Sequence, residues 1–356
     1  MHPALDAVRH DIARELERLL AARAGALAWT GSAAGGAARR LARFAARGKM
    51  VRGGLLVLGW RMHGGEAGPV PRRVVLRAAA ALELLHSALL VHDDIMDGDR
   101  LRRGEPTVHA RYEEEARKAG AADPGRIGTA LGVAAGDLAI FAALDEIASL
   151  EVEPVLGIAL ARRVGRELAL VAGGQLEDVA LGADRRWPSR AAVLAVYTYK
   201  TARYTFSLPL ACGALLAGAR PVPVARLERF GELLGTVFQV LDDDLGMFGS
   251  EAETGKPVGA DIREGKKTLL AREIMRRAGP AERRRLAALF GKQGLTRRDV
   301  QTVREAAERL GARQAVLDAA ARMAKDAERL ATGLRVGPEH RRVLREICAA
   351  SVHRRA

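Results

Sequence analysis

Residues 82–104 read LELLHSALLVHDDIMDGDRLRRG. An apolar run that carries His86 and His92 ends abruptly in Asp93, Asp94 and Asp97. On a helix, Asp93 and Asp97 share a face and Asp94 lies close beside them, so three carboxylates crowd one small region. Their repulsion at the end of a buried helix is costly, and a hard divalent cation relieves it. The plainer alternative is a set of acids capping a helix end that faces water. Arg102 and Arg103 come at once afterwards, and paired guanidiniums beside an acid cluster suit a polyanion bridging metal and arginine.

A second stretch repeats the plan. Residues 235–270 read GTVFQVLDDDLGMFGSEAETGKPVGADIREGKKTLL, in which Asp242, Asp243 and Asp244 end an apolar run and a Gly-rich loop bearing Lys256, Lys266 and Lys267 comes next. Acids beside lysines form common surface pairs that contribute little. The likeness of the two segments argues for more: two apolar helices, each ending in a carboxylate knot, would enclose a deep central cavity with a polar mouth. Oxygen-only donors select Mg2+, which carboxylates commonly share with substrate phosphates. The expected ligand is a diphosphate on an apolar tail.

The remaining sequence fits an all-α bundle. Hydrophobic residues make up 49% of the 356 and aromatics only 4%, so the core is Ala, Leu and Val, which suits close helix packing. Leu5, Val8, Ile12, Leu16 and Leu19 mark a first amphipathic helix. Gly and Pro clusters at 25–36, 63–71, 120–125, 182–188, 218–223, 249–259, 279–280 and 333–338 divide the chain into roughly ten helices, with no strand-like alternation. One domain over residues 1–356 is the simplest organisation. The net charge of +14 comes largely from arginines on polar faces and suits small polyanionic substrates, with no nucleic acid implied. Residues 127–144 are apolar but carry Asp137, which predicts a buried core helix and no membrane span. Cys212 and Cys348 lack metal-type spacing and fit reduced thiols in a cytoplasmic protein.

The sequence resembles the trans-isoprenyl diphosphate synthase (polyprenyl synthetase) family, and geranylgeranyl diphosphate synthases within it. HDDIMDGDRLRRGEPTVH looks like the first aspartate-rich motif and FQVLDDDLGMFGSEAETGKPVGADIREGKKT like the second; GKMVRGG at 48–54, GGQLED at 173–178 and YKTARYT at 199–205 fall in family order. The resemblance implies that Asp93, Asp94, Asp97, Asp242 and Asp243 hold magnesium. It implies that Lys49, Arg52, His86 and Arg103 bind the isopentenyl diphosphate head group and that Arg102, Lys200, Lys256 and Lys266 grip the allylic diphosphate. Gln175, Asp178, Thr201 and Gln239 would surround the reacting carbons. One departure stands out: the fifth position of the second motif is Gly246 where many members have Asp, which thins metal ligation there or recruits Asp244.

The implied reaction joins isopentenyl diphosphate head to tail, in trans, to dimethylallyl, geranyl or farnesyl diphosphate. Metal and cations neutralise the departing diphosphate, and the helices at 81–91 and 231–241 exclude water from the allylic cation. In the family an aromatic residue five before the first aspartate stops growth at 15 carbons. Ala88 stands there, so Leu84, Leu85, Leu89 and Phe141 form the expected floor one turn deeper, and the 20-carbon geranylgeranyl diphosphate is the expected product. Farnesyl or longer polyprenyl products are the alternatives. A class I terpene cyclase has no use for an isopentenyl pocket, and a non-catalytic subunit has no use for two intact acid clusters. Family members are commonly homodimers, and the resemblance carries that expectation.

Overall fold

The computed structural model describes residues 2–250 and 259–352. Almost every described element is helical. The chain divides into two compact units, Met1–Val164 with Pro209–Val224 and Gly165–Leu208 with Ala225–Ala356.

In the first unit the Arg72–Met96 helix is apolar on nearly its whole circumference, burying Val74, Val75, Leu84, Leu85 and Val91. A helix of that kind belongs at the centre of a packing arrangement. The Arg9–Ala26, Val51–Arg61 and Pro124–Ala148 helices surround it. The first amphipathic run is broken into Pro3–Asp6 and Arg9–Ala26, yet Leu5, Val8, Ile12, Leu16 and Leu19 are all buried as their spacing predicts. The Val51–Arg61 helix meets the chain at 209–216 at glycines: a Cβ on Gly59 would lie 2.4 Å from the Leu210 carbonyl oxygen, and one on Gly213 1.9 Å from that of Leu56. The two backbones touch, so any side chain at either position forces them apart.

Two expectations need correction. The Pro124–Ala148 helix is long and apolar enough to cross a membrane, but it is not a buried core helix: only its inner face is covered, and Leu131, Val133 and Phe141 are exposed. The Arg72–Met96 helix meets the same length and hydropathy test and is mostly buried. The glycines at 35 and 36, expected in a loop, lie inside the Ser32–Ala46 helix.

The second unit has its own core, built on Val193, Tyr197, Val240, Leu270, Ile274 and Val303. Trp187 meets Phe290 edge-on at 5.4 Å. The helices outnumber the expected ten because the later runs are cut into short pieces, Leu269–Arg277, Pro280–Ala287 and Arg297–Arg309. Pro280 starts one at the position where its missing N–H is harmless, and a Thr296–Asp299 capping box starts the next.

Candidate active site

The first acid cluster sits at the C-terminal end of the Arg72–Met96 helix. Asp93 and Asp97 are partly exposed, whereas Asp94 is completely buried. Its Oδ1 accepts a hydrogen bond from Arg102 Nε at 2.5 Å. A water-facing cap is therefore excluded for Asp94, and so is a simple knot of like charges. Arg102 comes from a feature the sequence pattern does not announce, a two-stranded hairpin in which Leu101 pairs with Pro106 and Arg102 with Glu105. Arg103 (φ 53°) and Gly104 (φ 75°) form its two-residue turn, and two successive left-handed residues are the signature of a type I′ turn. The strands are too short to show alternation, and the Arg-Gly pair is not a usual turn signal. The hairpin separates the arginines: Arg102 turns inward to Asp94, and Arg103 is exposed at the tip.

A cationic cluster lies in the same unit. Buried Glu83 accepts the Gly53 N–H at 2.8 Å and interacts electrostatically with Arg52 and Arg103. Burial and then the charges of Arg52, Arg103 and Arg102 push the His86 pKa well below its ordinary value, so the imidazole is neutral. Two guanidiniums, Arg52 and Arg103, act on the one buried carboxylate of Glu83, which leaves net positive charge for an anion. Lys49 is exposed one residue before Met50, the left-handed residue that starts the Val51–Arg61 helix. Four residues assigned to the isopentenyl head group thus belong to one unit, and Glu83, which has no motif of its own in the sequence, fixes the first turn of the helix that carries Arg52.

In the second unit three consecutive aspartates near the end of the Pro221–Phe248 helix point three ways, as a 100° step per residue requires. Asp242 is exposed. Asp243 turns inward: its Oδ1 accepts from Gln239 Nε2 at 2.7 Å and its Oδ2 from the Tyr197 hydroxyl. The same hydroxyl accepts the Leu269 N–H at 2.8 Å. Burial and the Asp261 carboxylate push the Asp243 pKa well above the usual range, against the pull of the Tyr197 and Gln239 hydrogen bonds. Asp244 is buried, and Arg313 bonds both of its carboxylate oxygens. Tyr197 is the residue sequence reasoning missed, because a lone aromatic before YKTARYT has no distinguishing pattern.

Lys200 and Thr201 lie on a π-helical stretch, Tyr197–Ser207. Such widened turns are rare and are frequent at functional sites. Lys200 Nζ contacts Asp178 Oδ2 at 2.6 Å. A Cβ on Gly174 would lie 2.7 Å from the Lys200 backbone nitrogen, which explains the small residue in GGQLED. Gln175, in the same segment, is half-buried. Lys266 Nζ lies 2.5 Å from Glu264 Oε2. Lys256 lies outside the described residues. Arg203 is held by Glu167 and Glu232, a buried network that no local sequence signal marks. His92 contacts the Val133 carbonyl and Asp137, and His109 contacts Thr107.

The residues assigned to chain length divide. Ala88 and Leu84 are fully buried and Leu85 nearly so. The open face of the helix runs through His86, Leu89, Leu90, Asp93 and Asp97, at three- and four-residue steps. Leu89 is therefore the one expected floor residue on this helix that reaches open space, and Phe141 is 67% exposed on the outer face of its own helix. The helical periodicity holds, and Leu89, one of the residues expected at the floor, lies on this partly exposed face.

Outward carboxylates backed by inward ones, with guanidinium and ammonium groups close by in each unit, define an all-α enzyme that handles diphosphates. Residues 39–310 match the polyprenyl synthetase family, to which the chain belongs. The geranylgeranyl diphosphate synthase of Sulfolobus acidocaldarius is 34% identical over 261 residues, 73% of this chain and 72% of its own. The short chain isoprenyl diphosphate synthase of Methanothermobacter thermautotrophicus is 32% identical over 246 residues, 69% of each. The crystal structure of geranylgeranyl pyrophosphate synthase from Corynebacterium glutamicum, complexed with isoprenyl diphosphate and magnesium, matches with a TM-score of 0.93 at 30% identity over 99% of each chain. The chain is a prenyltransferase that condenses isopentenyl diphosphate with allylic diphosphates.

Proposed function

We propose that the enzyme is a magnesium-dependent geranylgeranyl diphosphate synthase. The observation that carries this reading is the outward pair Asp93 and Asp97 backed by Asp94 and Arg102, together with the likeness to synthases of that product. The donors are carboxylate oxygens, a hard set that suits Mg2+ rather than zinc or copper. Asp93 and Asp97 would hold Mg2+ in the first unit, with Asp94 behind them as an orienting group, and Asp242 would do so in the second, with Asp243 behind it. Bound magnesium would neutralise charge developing on the leaving diphosphate.

The chain's own residues do the rest. Arg102, Lys200, Lys256 and Lys266 are assigned to the allylic diphosphate, and Lys49, Arg52, His86 and Arg103 to the isopentenyl head group. Neutral His86 serves as a hydrogen-bonding group and not as an additional cation. Gln175, Thr201 and Gln239 are the polar neighbours of the reacting carbons, where the π-helical turn carries Thr201. The allylic C–O bond breaks, the isopentenyl double bond attacks the cation, and the released pyrophosphate takes the proton that restores the alkene. Residues 1–356 act in this as one synthase domain, a reading supported by a family match that runs through both compact units.

The dimer expected of the family would cover the exposed apolar residues Leu131, Val133 and Phe141, which is more apolar surface than scattered single residues explain. Light scattering that finds a monomer would refute it. A cytoplasmic setting agrees with the two thiols, Cys212 and Cys348, both of them buried. The decisive assay incubates radiolabelled isopentenyl diphosphate with each allylic primer and Mg2+, followed by product chromatography. A 20-carbon product is expected. Products of 30 carbons or more would replace this reading with a longer-chain synthase, and a cyclic hydrocarbon would move the enzyme to another reaction class.

A further inference from the structure

In the Tyr197–Ser207 stretch the Leu208 N–H bonds to the Arg203 carbonyl five residues back, where an α-helix closes its turns four back. Wide turns of this kind usually come singly, so a run of 11 residues needs support from its surroundings. Two helix segments of the same unit give it. A Cβ on Gly174 would lie 2.7 Å from the Lys200 nitrogen, and one on Gly235 2.5 Å from the Ala202 Cα. The stretch is therefore wedged between the Pro154–Ala183 and Pro221–Phe248 helices, its backbone touching both. Arg203 spans the same two helices. Its Nε donates to Glu167 Oε2 at 2.9 Å and its Nη2 to Oε1, a two-pronged bond to the first helix, while Nη1 donates to Glu232 on the second. Glu167, Gly174 and Asp178 form one stripe of the first helix, being seven and then four residues apart. Arg203 reaches along it to Glu167, and Lys200 Nζ reaches Asp178 Oδ2 at 2.6 Å. The two cations tie the π-helical stretch to points about 16 Å apart on one helix.

We infer that Arg203 is a positioning residue for the allylic diphosphate: by pinning the π-helical stretch to Glu167 and Glu232 it sets the direction in which Lys200 points. Each residue by which the stretch slipped back toward α register would turn the side chains beyond it by about 100°. Lysine at 203 would keep the charge but lose the planar fork that engages both oxygens of Glu167. The inference rests on the assignment of Lys200 to the allylic diphosphate, and it adds a residue that acts through Lys200 rather than on the substrate.

The test is steady-state kinetics on the full-length enzyme, with geranyl diphosphate and isopentenyl diphosphate varied in turn and melting curves as the fold control. The variants are Arg203→Lys, Lys200→Met and the two combined. Arg203→Lys should raise KM for geranyl diphosphate by about tenfold and leave KM for isopentenyl diphosphate within about twofold, since that head group is assigned to residues of the other unit. Lys200→Met should show the same bias, and adding Arg203→Lys to it should change KM little further, because the residue through which Arg203 acts is gone. Arg203→Met with Glu167→Met removes the pair without stranding either partner, and Glu232 keeps Arg229, so this variant should repeat the bias even if Arg203→Lys does not fold. Equal rises for both substrates, no rise in Arg203→Lys where Lys200→Met shows one, or effects that multiply in the combined variant would each make Arg203 a fastener of the fold alone and overturn the inference. If Lys200→Met itself leaves KM for geranyl diphosphate unchanged, the assignment of Lys200 fails and the inference fails with it.

Discussion

Arg313 closes on Asp244 with two bonds, Nε to Oδ1 at 2.9 Å and Nη2 to Oδ2 at 3.3 Å, while its guanidinium lies over the Phe248 ring at 3.5 Å. The third aspartate of the second motif is thus a fastener between two helices of its unit. Asp244→Asn should lower the unfolding free energy by about 1–3 kcal/mol, since Arg313 loses its buried partner and keeps only the exposed Glu308. Chemical denaturation measures this, and an unchanged midpoint would show that the pair is dispensable.

Asp93 and Asp94 should separate in the same way. Asp93→Asn is expected to reduce turnover by orders of magnitude with stability within about 0.5 kcal/mol of wild type, as for a surface change. Asp94→Asn should lose both, because Arg102 loses its fully buried partner and keeps only the longer 3.9 Å contact with Asp99. From the sequence alone, neutralising Asp94 would be expected to relieve repulsion; the Arg102 contact reverses that sign. Thermal melts in metal-free buffer decide it.

Arg103→Ala should raise KM for isopentenyl diphosphate at least tenfold with little change for the allylic substrate, at roughly 1.4 kcal/mol per decade. The exposed hairpin tip should tolerate it structurally. Arg102→Ala should instead destabilise the fold, because Asp94 is fully buried. Equal kinetic losses for both substrates in Arg103→Ala would mean that it serves both head groups.

His86 gives a pH signature. Its folded pKa lies well below the unfolded value near 6.5, so the unfolded chain binds the extra proton first. Stability from this group is complete above pH 6.5 and is lost as pH falls toward the folded pKa. Glu83, whose pKa burial raises, acts in the opposite sense in the acidic range. The readout is therefore the difference: His86→Gln should flatten the decline in melting temperature between about pH 7 and pH 5. An identical slope would show that His86 is protonated in the folded enzyme.

For product length the informative position is Leu89. Leu89→Phe should shorten the main product by one isoprene unit and Leu89→Ala should lengthen it, because this side chain reaches open space one turn from Asp93. Ala88→Phe should cost about 1–3 kcal/mol through overpacking, since Ala88 is fully buried in a packed interior. Product chromatography and melting curves separate the two effects. Unchanged products from both Leu89 variants would place the length determinant elsewhere.

The all-α fold and both acid clusters were legible because helical periodicity and consecutive aspartates are local signals. What the carboxylates touch was not. Asp94 meets Arg102 only because a type I′ turn folds the chain back, and Asp244 meets Arg313 across 69 residues of sequence. Tyr197 reaches Asp243 across 46. Asp261 lies 3.1 Å from where a Cβ on Gly246 would stand, a contact that no local pattern announces. The different exposure of Ala88 and Leu89 has a similar origin: both are apolar, and only packing says which one is covered.

Met50 and Arg103 are the two non-glycine residues with positive φ among those described, at 50° and 53°. Each costs about 1 kcal/mol or more of backbone comfort. Each also stands in, or directly beside, the cation set assigned to the isopentenyl head group, next to Lys49 in one case and as Arg103 itself in the other. A thermostability campaign that replaces left-handed residues with glycine would choose these two positions first, and at Arg103 it would trade a binding group for melting temperature.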